Sequence, residues 1–332
     1  MRIKAIASLA LLALALAVAL GTPLAAAKGT GAMPIPSGIA LPGSPFRYQT
    51  FSPGQPDRMT VIARINRKGG KASRWWGLPG GWFVPGVTPS VATGLSADGS
   101  RLVLVRRPVI TPRHPAPDTR LAIVRPQVKM RRTAAGFPHW VDFVRLPNEW
   151  KIVAISPDGA TLFLSRYRNG VDEIRPGLFA PHAPGTDDLE VRALDTVTRQ
   201  VLPGRVRDRD GNQVRLDGIA YDQVGTGNGR WTYTLYSGDR HLPYVYALDG
   251  VAGRGTRIDL SHLRGWREPY SVHLELVDAG QTLRVIRRWF PEGQERERTL
   301  AAIDTSSFAV RGPGPRSFAS ILALLGLEVG VD

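Results

Sequence analysis

The sequence predicts an all-β repeat fold, and three observations carry that prediction. Ser96-Ala97-Asp98-Gly99 runs into Arg101-Leu102-Val103-Leu104-Val105, and Ser156-Pro157-Asp158-Gly159 runs into Thr161-Leu162-Phe163-Leu164. Each phrase is a tight-turn signal ahead of an alternating apolar run, the pattern of an antiparallel hairpin. Around each phrase short apolar runs recur in fours, so one supersecondary unit has been copied along the chain.

The elements follow in order. Residues 1–27 read as a secretory signal peptide. Arg2 and Lys4 form a basic start, Ala5 to Leu20 is apolar, Gly21 and Pro23 break the run, and Ala25-Ala26-Ala27 supplies small residues for cleavage. The apolar run is shorter than the about 20 residues of a spanning helix, so the mature chain is expected to carry no transmembrane helix. Residues 28–44, rich in Gly and Pro, read as a flexible arm, and 45–316 as the repeat domain. Residues 317–332 form an apolar C-terminal segment, in which Phe318 to Val331 is broken only by Glu328. It reads as a closing strand or a helix packed on the domain.

The clearest unit comprises Trp150–Ile155, Thr161–Tyr167, Leu189–Leu194 and Gln200–Arg205. A unit before it takes Val91–Leu95, Arg101–Arg106, Arg120–Val124 and Val128–Thr133. Two units after it take Ile219–Tyr221, Trp231–Tyr236, Tyr244–Leu248 and Thr256–Leu260, then Val272–Val277, Thr282–Arg287, Leu300–Ile303 and Phe308–Arg311. Upstream, Arg47–Phe51, Met59–Ile65 and Ser73–Leu78 are the last three strands of a unit that lacks its first. An isolated four-stranded sheet cannot bury both faces, so the copies must stack, and the radial solution is a β-propeller. About five blades are predicted, with the segment near Ile321–Leu327 as the missing strand. A six-bladed ring and a β-sandwich are the structural alternatives.

With Ser156-Pro157-Asp158-Gly159, Leu162-Phe163-Leu164 and Val191-Arg192-Ala193-Leu194-Asp195-Thr196, the chain resembles the YVTN-type, WD40-like propeller repeats of bacterial secreted proteins. Ala301-Ile303-Asp304-Thr305 is a further partial match. The Trp-Asp dipeptide and a literal Tyr-Val-Thr-Asn are absent. The resemblance implies a fold and no activity, since propellers host binders and enzymes alike.

In such a blade the first-to-second and third-to-fourth turns share one face. The long connections are predicted on the other: Pro108–Asp118, Arg168–Asp188 and Arg288–Arg298 within blades, and Gly80–Ser90, Phe137–Glu149, Val206–Asp217 and Ser261–Tyr270 between them. Long loops on a rigid scaffold are where binding sites are built. The ligand-binding candidates there are Arg113, His114, Trp140, His182, His241, Trp266 and Trp289. His139, His262 and Trp82 fall on the same face. Indole faces stack on sugar rings, imidazoles move protons, and guanidiniums pair with anions. Trp75, Trp76 and Trp231 lie in strands and read as core. Asp142, Asp217 and Glu275 are assigned to innermost strands or their starts, where a carboxylate pair for glycoside hydrolysis would sit.

Composition narrows the classes. The formal charge is +15, two of it from Arg2 and Lys4, which suits an anionic cell-wall polymer. No Lys/Arg block reaches five residues, and nucleic-acid motifs are absent, so no nucleic-acid partner is expected. The chain has no cysteine, hence no disulfide framework and no lipid-anchor cysteine. No His-x-His or His-x-x-x-His pair occurs, and no metal or cofactor is predicted. Asp208 to Asn212 imitates the start of a calcium loop, but Gln213 and Ile219 occupy its sixth and twelfth positions, so it reads as a turn. Gly225 to Gly229 precedes no helix and is no phosphate cradle, and no Gly-x-Ser-x-Gly elbow exists. The expected protein is a monomeric, secreted or cell-wall-associated propeller that binds a protein or glycan at the cell surface and is not an enzyme. An exported hydrolase or lyase with its site at the axial end of the channel is the alternative.

Overall fold

Alternating β-branched and apolar residues between polar turns build twenty-one short strands and no α-helix among the described residues. A computed structural model describes residues 38–52, 58–88, 91–106, 118–128, 140–148, 150–167, 189–237, 242–260, 263, 271–290 and 294–312. The signal peptide, residues 28–37 of the arm and residues 317–332 lie outside them.

The strands form a β-propeller of five blades in chain order. Blade one holds β1 (Phe46–Phe51), β2 (Met59–Asn66) and β3 (Ala72–Pro79). Blade two holds β4 (Trp82–Phe83), β7 (Leu102–Arg106), β8 (Thr119–Val124) and β9 (Val141–Leu146). Blade three holds β10 (Lys151–Ile155), β11 (Thr161–Tyr167), β12 (Leu189–Asp195) and β13 (Gln200–Val201). Blade four holds β14 (Ile219–Gly225), β15 (Trp231–Ser237), β16 (Pro243–Asp249) and β17 (Arg254–Asp259). Blade five holds β18 (Val272–Val277), β19 (Thr282–Trp289), β20 (Arg296–Asp304) and β21 (Val310–Arg311). All neighbouring strands in the blades are antiparallel.

Two turn designs explain why these residues form these hairpins. In Ser96–Gly99, Ser156–Gly159 and Thr226–Gly229 the first hydroxyl lies 2.6, 2.6 and 2.8 Å from the Asp98, Asp158 and Asn228 side-chain oxygen. That oxygen also accepts the next N–H but one, from Ser100, Ala160 and Arg230. The turn ends on glycine at φ +68, +72 and +70°, the left-handed region where a Cβ is costly. The third-to-fourth turns start from Asn66, Asp195, Asp249 and Asp304, each carboxyl or amide oxygen capping N–H groups two or three residues on. They close on Gly70, Arg199, Gly253 and Phe308, all at positive φ. Thr196 and Thr305 donate to Gly159 O and Gly280 O, tying the two turns of one blade together at the same end.

The Asn66–Gly70 turn identifies β2 and β3 as third and fourth strands, so blade one lacks its first strand, as the sequence predicts. That position begins within the chain's own arm. Ile39 exchanges two hydrogen bonds with Tyr48, at 2.8 and 2.7 Å, on the free edge of β1.

Side chains from facing blades fill four apolar cores, one at each seam from blade one to blade five. They centre on Trp76 and Trp140, on Leu121 and Leu162, on Phe163 and Tyr246, and on Val245 and Val285.

Blade two departs from the sequence reading at both edges. Its first strand is Trp82–Phe83, which pairs with Arg106 and Val105, and not Val91–Leu95, which rejoins the blade only at its end, where Gly94 O accepts the Val103 N–H at 2.7 Å and Leu95 lies opposite Leu102. Between them β5 (Gly86–Thr88) and β6 (Val91–Ala92) form a hairpin packed against the innermost strands β14 and β10. The fourth strand is β9, where Trp140 and the apolar residues of 141–146 carry the packing, and of the expected Val128–Thr133 all but Val128 lies outside the described residues. The connections Gly80–Ser90 and Phe137–Glu149 therefore hold strands, and Arg288–Arg298 shrinks because β19 and β20 extend to Trp289 and from Arg296.

Candidate functional site

The strand ends from which the long connections leave carry two adjoining polar features. In the first, Glu190 at the start of β12 is buried with 1% of its side chain exposed, and three guanidiniums meet it. Arg166 Nε lies 2.5 Å from Oε1, Arg192 Nε 3.3 Å from Oε1, and Arg205 Nε 3.1 Å from Oε2. Arg166 also covers the ring of buried Trp150 at 4.6 Å. Burial alone would push the Glu190 carboxyl up. The hydrogen bond and charge of Arg166, with Arg192, outweigh it and hold the group below the usual Glu range.

Arg205 links this cluster to the second feature by donating to Gln213 Oε1 at 3.2 Å. Gln213 lines a cleft of about 520 Å³ with Asp208, Val214, Arg215, Asp217, Leu242, Thr256, Arg257 and Asp259. The connection from blade three to blade four forms one wall and β17 the other. Arg257 lies over the Tyr244 ring at 3.8 Å and donates to Asp259 at 2.8 Å, to Asp217 at 2.8 Å and to Arg215 O at 3.1 Å. Tyr244 is bound in turn to Asp217, whose N–H it accepts and whose C=O it donates to. A guanidinium fixed on four sides is a preorganised recognition group.

The axis is built differently. The β5–β6 hairpin lies on β10 and β14, and the first turns of blades two, three and four touch at the closed end. There Asp98 N–H donates to Pro157 O at 3.1 Å, and a Cβ on Gly229 would stand 2.5 Å from the Ala97 Cβ. On the innermost strands Asp222 is buried, accepts the Leu274 N–H at 2.7 Å and lies 3.7 Å from His273 Nδ1. Burial pushes its carboxyl above the ordinary Asp range.

Of the predicted ligand residues, Arg113, His114, His182, His241 and Trp266 lie outside the described residues, as do His139 and His262. Trp289 ends β19 and is partly exposed. Trp140 is a correction: at 1% exposure it packs on Trp76 in the first seam, because it sits in the turn immediately before β9 and faces the core. Trp82 is likewise buried and donates to Pro79 O. Trp75, expected in the core, is 56% exposed, while Trp76 is buried. Asp142 sits on outermost β9 and pairs with Arg125, so it is no axial acid. Asp217 is held by Arg257, and Glu275, on innermost β18, pairs with Arg284. Asp208 Oδ1 accepts the Asp210 and Asn212 N–H groups, the turn that its sequence suggests. No group of three metal-ligating side chains occurs among the described residues. Nor is any helix there long and apolar enough to cross a membrane.

The sequence gives no signal for the Glu190 cluster or the cleft, since partners 24 and 40 residues apart meet only through the blade ladders.

No protein-family model and no curated protein matches the sequence. Among solved structures, the chain is similar to TolB from Acinetobacter baumannii at 16% identity and a TM-score of 0.37, over 82% of this chain and 53% of that one. A Synechocystis apocarotenoid oxygenase aligns at 10% identity and a TM-score of 0.47, over 81% and 59%. Puromycin hydrolase aligns at 16% identity and a TM-score of 0.43, over 86% and 39%. The chain thus spans about half the length of the first two of these structures and less of the third.

Proposed function

We propose that this propeller is an exported, non-catalytic binding scaffold that engages a protein or glycan at the cell surface through its long-loop face. The observation that carries the reading is where open polar geometry lies. The cleft beside Arg257 and the Arg166–Arg192–Arg205 cluster sit at the outer, long-loop ends of blades three and four, while the β5–β6 hairpin packs against the inner strands. The formal charge of +13 that remains once Arg2 and Lys4 leave with the signal peptide (15 − 2) favours an anionic cell-wall polymer as one class of partner.

The test is a charge-reversal set, Arg113→Glu, Arg175→Glu, Arg240→Glu and Arg267→Glu, assayed against a purified anionic cell-wall polysaccharide. Lys68→Glu with Arg199→Glu, at the closed end, is the control. At least tenfold weaker binding in the first set alone is expected, and equal binding by both sets overturns the reading.

One observation favours the alternative of an exported hydrolase or lyase with an axial site. Asp222, a buried acid whose carboxyl is pushed up, stands beside His273 on the inner strands, the kind of environment that tunes a general acid. Turnover of a glycoside or lactone panel that disappears in Asp222→Asn would establish it.

A further inference from the structure

Among the described residues, outermost β17 has one half of its outer edge occupied and the other half open. Gly255 N–H donates outward to Arg207 O at 2.9 Å, while Leu260 N–H donates inward to Pro243 O at 3.0 Å. Backbone groups of successive strand residues point to opposite edges. The pairing of β17 with β16 runs without a bulge from Asp249↔Arg254 to Tyr244↔Asp259, so Arg257 and Asp259 point the same way as Gly255. Their outward N–H groups have no partner among the described residues. Both residues line the cleft of about 520 Å³. The last strands of blades three and five, β13 and β21, have only two residues each, against six in β17.

We propose that the Arg257–Asp259 edge docks an extended segment of a partner protein as an added β-strand. The proposal rests on the reading of the propeller as a binding scaffold and specifies what it binds. Main-chain hydrogen bonds to the open edge supply affinity, and alternate side chains of the guest drop into the cleft and supply selectivity. Among the described residues the cleft carries Asp208, Asp217 and Asp259 against Arg215 and Arg257, one negative charge in excess on a strongly basic chain. A guest with Lys or Arg at alternate positions is therefore the complementary one.

The probe is a fluorescein-labelled hexapeptide, Thr-Lys-Val-Lys-Val-Thr, titrated with the full mature chain by anisotropy. Two further copies are N-methylated, one at both Lys and one at both Val. Strand addition predicts that one methylated copy binds at least tenfold more weakly and the other like the parent, because only one edge of the guest meets β17. Asp259→Pro removes an outward donor without touching the ladder to β16, and proline is tolerated on such an edge. It is expected to weaken the parent peptide at least tenfold. Should that variant misfold, the methylated pair on the native chain still decides. Absence of binding, or binding indifferent to the methylation pattern, overturns the proposal. Binding of the anionic polysaccharide, measured in parallel, reports separately on the long-loop face.

Discussion

The Thr119 hydroxyl accepts the Trp150 N–H at 2.7 Å and donates to Asn148 O at 3.0 Å, locking the third strand of blade two to the first residues of blade three. Thr60 and Trp82 repeat it one blade earlier, at 2.7 Å, with Gly80 O as acceptor at 2.8 Å. In both, the indole donates back to Pro147 or Pro79. The hydroxyl is buried, so removing it orphans the Trp150 N–H, while Asn148 O keeps the Thr119 N–H at 3.1 Å. Thr119→Val is expected to cost about 1–3 kcal/mol in urea unfolding and Thr119→Ser much less.

The closed end depends on glycine for space as well as for conformation. Gly211, at φ +82°, has nothing within 4 Å of a would-be Cβ, whereas at Gly229 the methyl would overlap Ala97. Gly211→Ala should cost about 1–2 kcal/mol from backbone strain alone. Gly229→Ala should add about 1–3 kcal/mol of overpacking to that, visible as a larger drop in Tm.

The Asp278–Ala279 turn of blade five places both residues at positive φ, +52° and +53°. Such a primed turn favours Asn-Gly or Asp-Gly. Ala279→Gly is expected to stabilise the chain by about 1 kcal/mol, read as a rise in the urea midpoint at constant slope.

Glu190 should govern part of the acid sensitivity. Its folded pKa lies below the unfolded value of about 4.3, so its contribution is complete above that pH and is lost as pH falls through the folded value. Glu190→Gln leaves three guanidiniums without their carboxylate. It should cost about 2 kcal/mol at pH 7, less than a wholly buried pair because the arginines keep contact with water, and the loss should shrink in acid. Equal losses at pH 7 and pH 3 in denaturant titrations would remove this account.

Blade three was legible because its strands alternate cleanly and its turns carry the Ser-x-Asp-Gly and Asp-Thr phrases, and blade four because Asn228-Gly229 marks its first hairpin. Blade two was not, since Val91–Leu95 has the composition of a strand but only tertiary packing decides which runs join the sheet. A second internal repeat held the missing signal. Leu78-Pro79-Gly80-Gly81-Trp82 and Leu146-Pro147-Asn148-Glu149-Trp150 mark the end of a fourth strand and the start of the next blade. Of the candidate site, the long-loop face was readable from connection lengths. The Arg257 cleft was not, because it depends on which edge of β17 stays open.

The β5–β6 hairpin leaves blade two and rests on blades three and four. Blades that meet only their neighbours unfold piecemeal, each seam giving way in turn. A segment that touches three blades at once removes that freedom, so the middle of the chain is expected to melt as one unit. In hydrogen exchange the amides of β7, β11 and β15 would then open together, at a higher free energy than those of β1 or β20.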